Sequence, residues 1–165
     1  MSKTVENLQA AFAGESQANR KYLAFAKKAE EEGYTQVARL FRAVAEAETI
    51  HAHSHFRVLG GVQSTAENLK AAIAGEHYEV NTMYPEFLGE ARNADDKKAA
   101  RSFEMALEAE KGHEKLYQEA LATLGKETEA YDYYICSVCG YTHAGSAPDK
   151  CPICGAAKDR FLQGK

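Results

Sequence analysis

A glutamate stands in the middle of each of four largely apolar helical stripes, and an ordinary greasy core cannot accommodate that. The first stripe reads Leu8, Phe12, Glu15, Asn19, Tyr22, Ala26, and the second Val37, Phe41, Val44, Glu48, His51, His55, Val58. The third reads Leu69, Ile73, Glu76, Val80, Met83, Phe87, with Glu79 beside it, and the fourth Phe103, Ala106, Glu110, His113, Tyr117, Leu121. Steps of three and four follow one face of a helix. Such a face seeks burial, yet an unpaired carboxylate resists it by several kcal/mol. No Lys or Arg shares the stripes at the glutamate level. Two divalent cations resolve the conflict, because they neutralise most of the charge of five converging carboxylates.

The periodicity predicts helices from about Thr4 to Glu31, Thr35 to Leu59, Thr65 to Arg92, and from just after Asp95 to near Gly125. Gly33 and Gly60-Gly61 stop the first two, and Ser64-Thr65 caps the third. Four helices of this length joined by short breaks make a bundle, so the expected fold class is mainly α. Pro85 lies inside the third helix and predicts a kink or bulge there. The halves also repeat. Ala11 to Glu15 recurs as Ala72 to Glu76, and Ala47 to His51 recurs as Ala109 to His113. Two helical hairpins related by a pseudo-two-fold axis are expected, with a register shift of one residue between the two matches. Glu79 has Ala18 as its repeat partner, so it breaks the symmetry.

One Glu-x-x-His on a helix is usually an exposed ion pair. Two copies in repeat-related positions, Glu48/His51 and Glu110/His113, read instead as metal ligands one turn apart on one face. Oxygen and imidazole donors favour iron or manganese. Six or seven side chains for two ions leave positions open for a small ligand such as a peroxide or dioxygen. Tyr22 and Tyr84 read either as core aromatics or as hydrogen-bond donors to ligand carboxylates. His53, His77 and His143 read as surface or loop residues, His55 as packing beside the ligands, and Glu46, Glu108 and Glu114 as exposed.

The C-terminal segment differs in kind. Cys136-x-x-Cys139-Gly140 and Cys151-x-x-Cys154-Gly155 form two knuckles, separated by the stretch from Gly140 to Lys150. A glycine after the second cysteine permits positive φ, which turns backbone N–H groups toward the sulfurs. Four thiolates suit one Zn or one Fe, and the aromatic approach Tyr133-Tyr134 together with the neighbouring acidic bundle favours iron. The expected organisation is a helical di-metal domain over 1–125, a linker over 126–132 and a tetracysteine domain over 133–165. A net charge of −4 across 165 residues offers no basic surface for nucleic acid. No apolar run reaches membrane-spanning length, and the polar N-terminus does not read as a secretory signal, so a cytoplasmic location is expected.

Ala13-Gly-Glu15-Ser-Gln-Ala18, Glu48-x-x-His51, Ala74-Gly-Glu76-His-x-Glu79, Met83-Tyr84-Pro85, Ala109-Glu110-x-x-His113 and the paired knuckles together resemble the rubrerythrin family across essentially the whole chain. The resemblance implies a ferritin-like four-helix bundle with a C-terminal rubredoxin-like domain, acting as a hydrogen peroxide reductase. It implies Glu15, Glu48, Glu76, Glu79, Glu110 and His113 as ligands of two irons, with Glu48 and Glu110 bridging and with Glu79 and His51 exchanging on reduction. Cys136, Cys139, Cys151 and Cys154 are implied to hold a third iron (or zinc as purified), and Tyr22 and Tyr84 to hydrogen-bond the ligands. A head-to-tail homodimer and an external electron donor, rubredoxin or an NAD(P)H-dependent reductase, follow from the same resemblance. The competing readings are a ferroxidase or iron-handling ferritin-like protein, and a regulator with a structural zinc ribbon.

Overall fold

The computed structural model describes residues 2–126 and 129–164; residues 127 and 128 of the expected linker lie outside them. The chain divides into two compact units, 1–63 and 64–165. The first is a helical hairpin, α1 (Lys3–Glu31) and α2 (Thr35–Val58). Ser2 caps α1 by accepting from the Val5 N–H. The seam between the helices is lined by Ala26, Ala29, Ala38, Ala45 and Ala52, all buried. Side chains this small let the two backbones approach closely. Asn19 is buried in the same seam, where its Nδ2 donates to the Ala45 carbonyl at 2.7 Å and to Thr49 Oγ1 at 2.8 Å.

The second unit holds α3 (Thr65–Tyr78), a π-helical turn (Glu79–Met83), α4 (Tyr84–Asn93) and α5 (Lys97–Thr123). Ser64 caps α3, and the Asp96 side chain caps α5 by accepting from the N–H groups of Lys98 and Ala99. The three strands β1 (Tyr133–Cys136), β2 (Thr142–Ala144) and β3 (Phe161–Gln163) form an antiparallel sheet in the order β2-β1-β3. No helix among the described residues is long and apolar enough to cross a membrane.

The π turn gives the bulge expected near Pro85 its form. Proline offers no N–H to the carbonyl four residues back, and the Tyr84 N–H bonds the Glu79 carbonyl five residues back. A π turn accommodates one extra residue, which accounts for the shift in repeat offset. The offset from Glu15 to Glu76 is one short of that from Tyr22 to Tyr84 and from Glu48 to Glu110. Tyr22, Phe25 and Phe41 form one ring cluster, and Tyr84, Phe87 and Phe103 form its counterpart. The turns correspond as well. Gly33 adopts φ 84° and Asp95, its equivalent, adopts φ 52°. Even the Arg42–Glu30 ion pair reappears with its charges exchanged, as Arg92–Glu104.

Candidate metal centres

Each hairpin brings its own ligands together. In the first unit, Glu15 from α1 meets Glu48 and His51 from α2, and one donor atom of each lies within 4.8 Å of the others. In the second, Glu76 from α3 meets Glu110 and His113 from α5 within the same limit. The helices explain the meeting. A Glu and a His three residues apart point the same way from one turn, and close helix packing holds the facing glutamate near. Glu79 stands on the π turn beside the second trio, where burial and then the charge of Glu110 raise its pKa.

The trios differ around their histidines. His51 Nδ1 lies 2.9 Å from Glu48 Oε2, with the His51 side chain 56% exposed. His113 Nδ1 lies 2.5 Å from Glu110 Oε2, with the His113 side chain 24% exposed. The other ring nitrogen of His113 is also engaged. Its Nε2 is 3.2 Å from the Gly140 carbonyl and 3.0 Å from Thr142 Oγ1, both in the cysteine module.

The charges of the second trio fit a cation site. Burial, followed by a hydrogen bond with Glu110, lifts Glu76 to about 7. The His113 hydrogen bond holds Glu110 below the ordinary carboxylate range, and the same bond raises His113. The proton that Glu76 tends to keep and the one shared between His113 and Glu110 offset part of the carboxylate charge that a bound metal ion would otherwise neutralise. Tyr84 is raised by burial and by the charges of Glu79, Glu110 and Glu76, which keeps its hydroxyl a donor. Tyr22 packs on the rings of Phe25 and Phe41.

The four cysteines converge in the same way. Cys136 Sγ is 3.6 Å from Cys154 Sγ, and Cys139 Sγ is 3.5 Å from Cys151 Sγ. These gaps are too long for disulfides, whose sulfurs stand about 2 Å apart. They suit a tetrahedral metal with bonds of about 2.3 Å, which puts sulfurs roughly 3.8 Å apart. Gly140 and Gly155 take φ 81° and 78°, as the knuckle pattern requires. Burial opposes ionisation of Cys136, but N–H groups of Val138 and Cys139 outweigh it and bring the thiol down to about 7. Burial raises Cys139 and Cys154, so the crowded sulfurs do not all ionise together unless a cation joins them.

Two expectations fail. His143 lies on β2 with its ring half-buried, 3.1 Å from the Tyr141 hydroxyl. Glu114 is not exposed: its side chain is only 17% accessible and pairs with His77 at 2.9 Å. Local spacing treats both as surface because it does not register the partners that shelter them. For the same reason it misses Gly140 and Thr142 as partners of His113, since neither carries a ligand signature of its own.

The rubrerythrin family profile matches residues 6–121, and the profile of the rubrerythrin rubredoxin-like domain matches residues 134–162. Rubrerythrin-2 of Clostridium acetobutylicum is 41% identical, covering 96% of this chain and 95% of that relative. Nigerythrin of Nitratidesulfovibrio vulgaris is 38% identical, covering 98% and 86%. The fully reduced, all-ferrous structure of nigerythrin aligns with a TM-score of 0.61 at 37% identity, covering 99% of this chain and 88% of that one. Both metal-binding regions are matched along nearly the whole length, and the chain therefore belongs to the rubrerythrin family of di-iron oxidoreductases.

Proposed function

We propose that this protein is a peroxidase that reduces hydrogen peroxide to water at an iron pair, with electrons relayed through a rubredoxin-type iron. In this reading residues 1–125 are the di-iron domain, 126–132 the linker and 133–165 the electron-transfer domain. Glu15, Glu48, Glu76, Glu79, Glu110 and His113 hold the pair, Glu48 and Glu110 bridge it, and His51 and Glu79 are the exchangeable ligands. Cys136, Cys139, Cys151 and Cys154 hold the third iron. The protein works as a head-to-tail homodimer fed by an external donor, a rubredoxin or an NAD(P)H-dependent reductase.

When bound, the iron pair supplies electrons and Lewis acidity for cleaving the O–O bond, and the tetrathiolate iron supplies a one-electron reservoir. Reducing one peroxide to two waters takes two electrons and two protons. The side chains contribute position and charge. The carboxylates fix donor oxygens where positive charge must be held. Tyr84, kept neutral by burial and by the acids around it, offers a hydrogen bond to oxygen in the site. The Nδ1 of His113 faces Glu110, while its Nε2 donates to the carbonyl of Gly140, the residue after Cys139.

That double contact of His113 carries the reading, because one imidazole touches both a carboxylate cluster and a cysteine knuckle. A stopped-flow experiment tests it. Mixing the fully reduced, iron-loaded protein with peroxide should oxidise the tetrathiolate iron within the turnover time. If its absorbance stays constant while peroxide is consumed, the relay is wrong.

A further inference from the structure

We propose that Thr142 is a positioning residue for His113, fixing from the cysteine module the ring that faces Glu110. The inference rests on the metal-site reading and extends it to a residue outside the ligand set. A carbonyl oxygen only accepts, so a nitrogen 3.2 Å from the Gly140 carbonyl carries a proton. That nitrogen is Nε2 of His113. The Thr142 hydroxyl, 3.0 Å from the same Nε2, donates its own proton to the Gly140 carbonyl at 3.2 Å. Its lone pairs therefore face His113, and the Nε2–H is shared between two acceptors.

This arrangement acts on both the tautomer and the ring plane. When a metal takes the place of the proton that Nδ1 shares with Glu110, the ring proton that remains is the one held on Nε2, so Nδ1 presents its lone pair on the Glu110 side, as a metal ligand requires. The ring plane is set by two acceptors rather than one, which restricts rotation about the Cβ–Cγ bond. Thr142 opens β2, and β2 is held to β1 by the Ile135–Thr142 pairing next to Cys136. The seating of the cysteine module and the aim of His113 are thereby mechanically linked. His51 shows what a ring without such a described support looks like: it is more than half exposed.

The test compares Thr142→Val, which keeps the shape and removes the hydroxyl, with Thr142→Ser, which keeps the hydroxyl. Full-length protein is first loaded with zinc at the cysteines, and the carboxylate–histidine site is then titrated with cobalt(II), followed by its visible bands. Removing a hydrogen-bond partner of a metal-binding histidine weakens affinity about 10-fold or more. We expect about 10-fold weaker cobalt binding in Thr142→Val and a return to within about 2-fold in Thr142→Ser. Equal affinity in all three proteins overturns the proposal. Absence of cobalt binding in the unaltered protein overturns instead the metal-site reading beneath it. Should Thr142→Val fail to fold, long-range 1H–15N spectra of the imidazoles in unaltered, zinc-loaded protein decide. A proton on His113 Nε2 supports the assignment, and an Nε2 without one overturns it.

Discussion

The two hairpins share one plan and diverge at their histidines. Glu48 and His51 in the first correspond to Glu110 and His113 in the second, with equal spacing and equivalent ring clusters nearby. His113 is clasped from both sides, by Glu110 at Nδ1 and by Gly140 and Thr142 at Nε2. His51 meets Glu48 and is otherwise largely open to solvent. A repeated motif thus specifies which atoms are available, while the surroundings decide how firmly each is held. A clasped imidazole suits a permanent ligand, and a loosely held one suits a ligand that comes and goes.

Deleting each ring in turn puts this contrast under the greatest load. His113→Ala should lower peroxide turnover by about 100-fold or more, because it removes a proposed ligand and its link to the cysteine module together. His51→Ala should cost about 10-fold. Steady-state peroxide consumption reads both, and equal losses would remove any functional meaning from the asymmetry.

Proton release tests the second hairpin separately. Glu76 keeps its proton up to about 7, against an ordinary value of 4.5. The fold thus favours the protonated form. Its contribution to the stability of the protein without bound metal is complete below about 4.5 and is lost as pH rises through about 7. Metal binding must expel that proton, so loading with Fe(II) at pH 6 should release more protons than loading at pH 8. Calorimetry in buffers of different ionisation enthalpy measures the difference, and Glu76→Gln should diminish it.

Smaller effects probe the turns and the surface. Gly33 and Asp95 are equivalent residues in left-handed conformation, which costs a side chain about 1 kcal/mol. Gly33→Ala should destabilise by about that amount, and Asp95→Gly should be neutral or stabilising by under ~1 kcal/mol. Denaturation midpoints check both. Smallest are the charge-exchanged ion pairs, all four of whose side chains stand well out in solvent. Arg42→Ala and Arg92→Ala should each shift stability by no more than about 0.5 kcal/mol in urea titrations.

Much of the fold was readable from local pattern. The helical period carries helix positions, and Ser64, Asp95 and Gly33 mark their ends. Pro85 announces a distortion because its missing N–H is a covalent fact. The form of that distortion was not readable: whether a helix kinks or takes in a π turn depends on how neighbouring rows of side chains must align. The shift in offset between Glu15/Glu76 and Glu48/Glu110 is visible as a number, yet only the folded chain assigns it to residues 79–83. Local spacing does not place Glu114, because its partner His77 is 37 residues away on another helix.

The order of residues was enough to specify the donor inventory: which carboxylates, imidazoles and thiols fall on shared faces, and that the two knuckles offer four sulfurs. Those properties depend on neighbours a few bonds away. Packing was needed to settle which histidine is anchored, which glutamate keeps a proton and which backbone carbonyl meets His113. These depend on through-space distance and burial, which arise only when segments far apart in the chain are brought together.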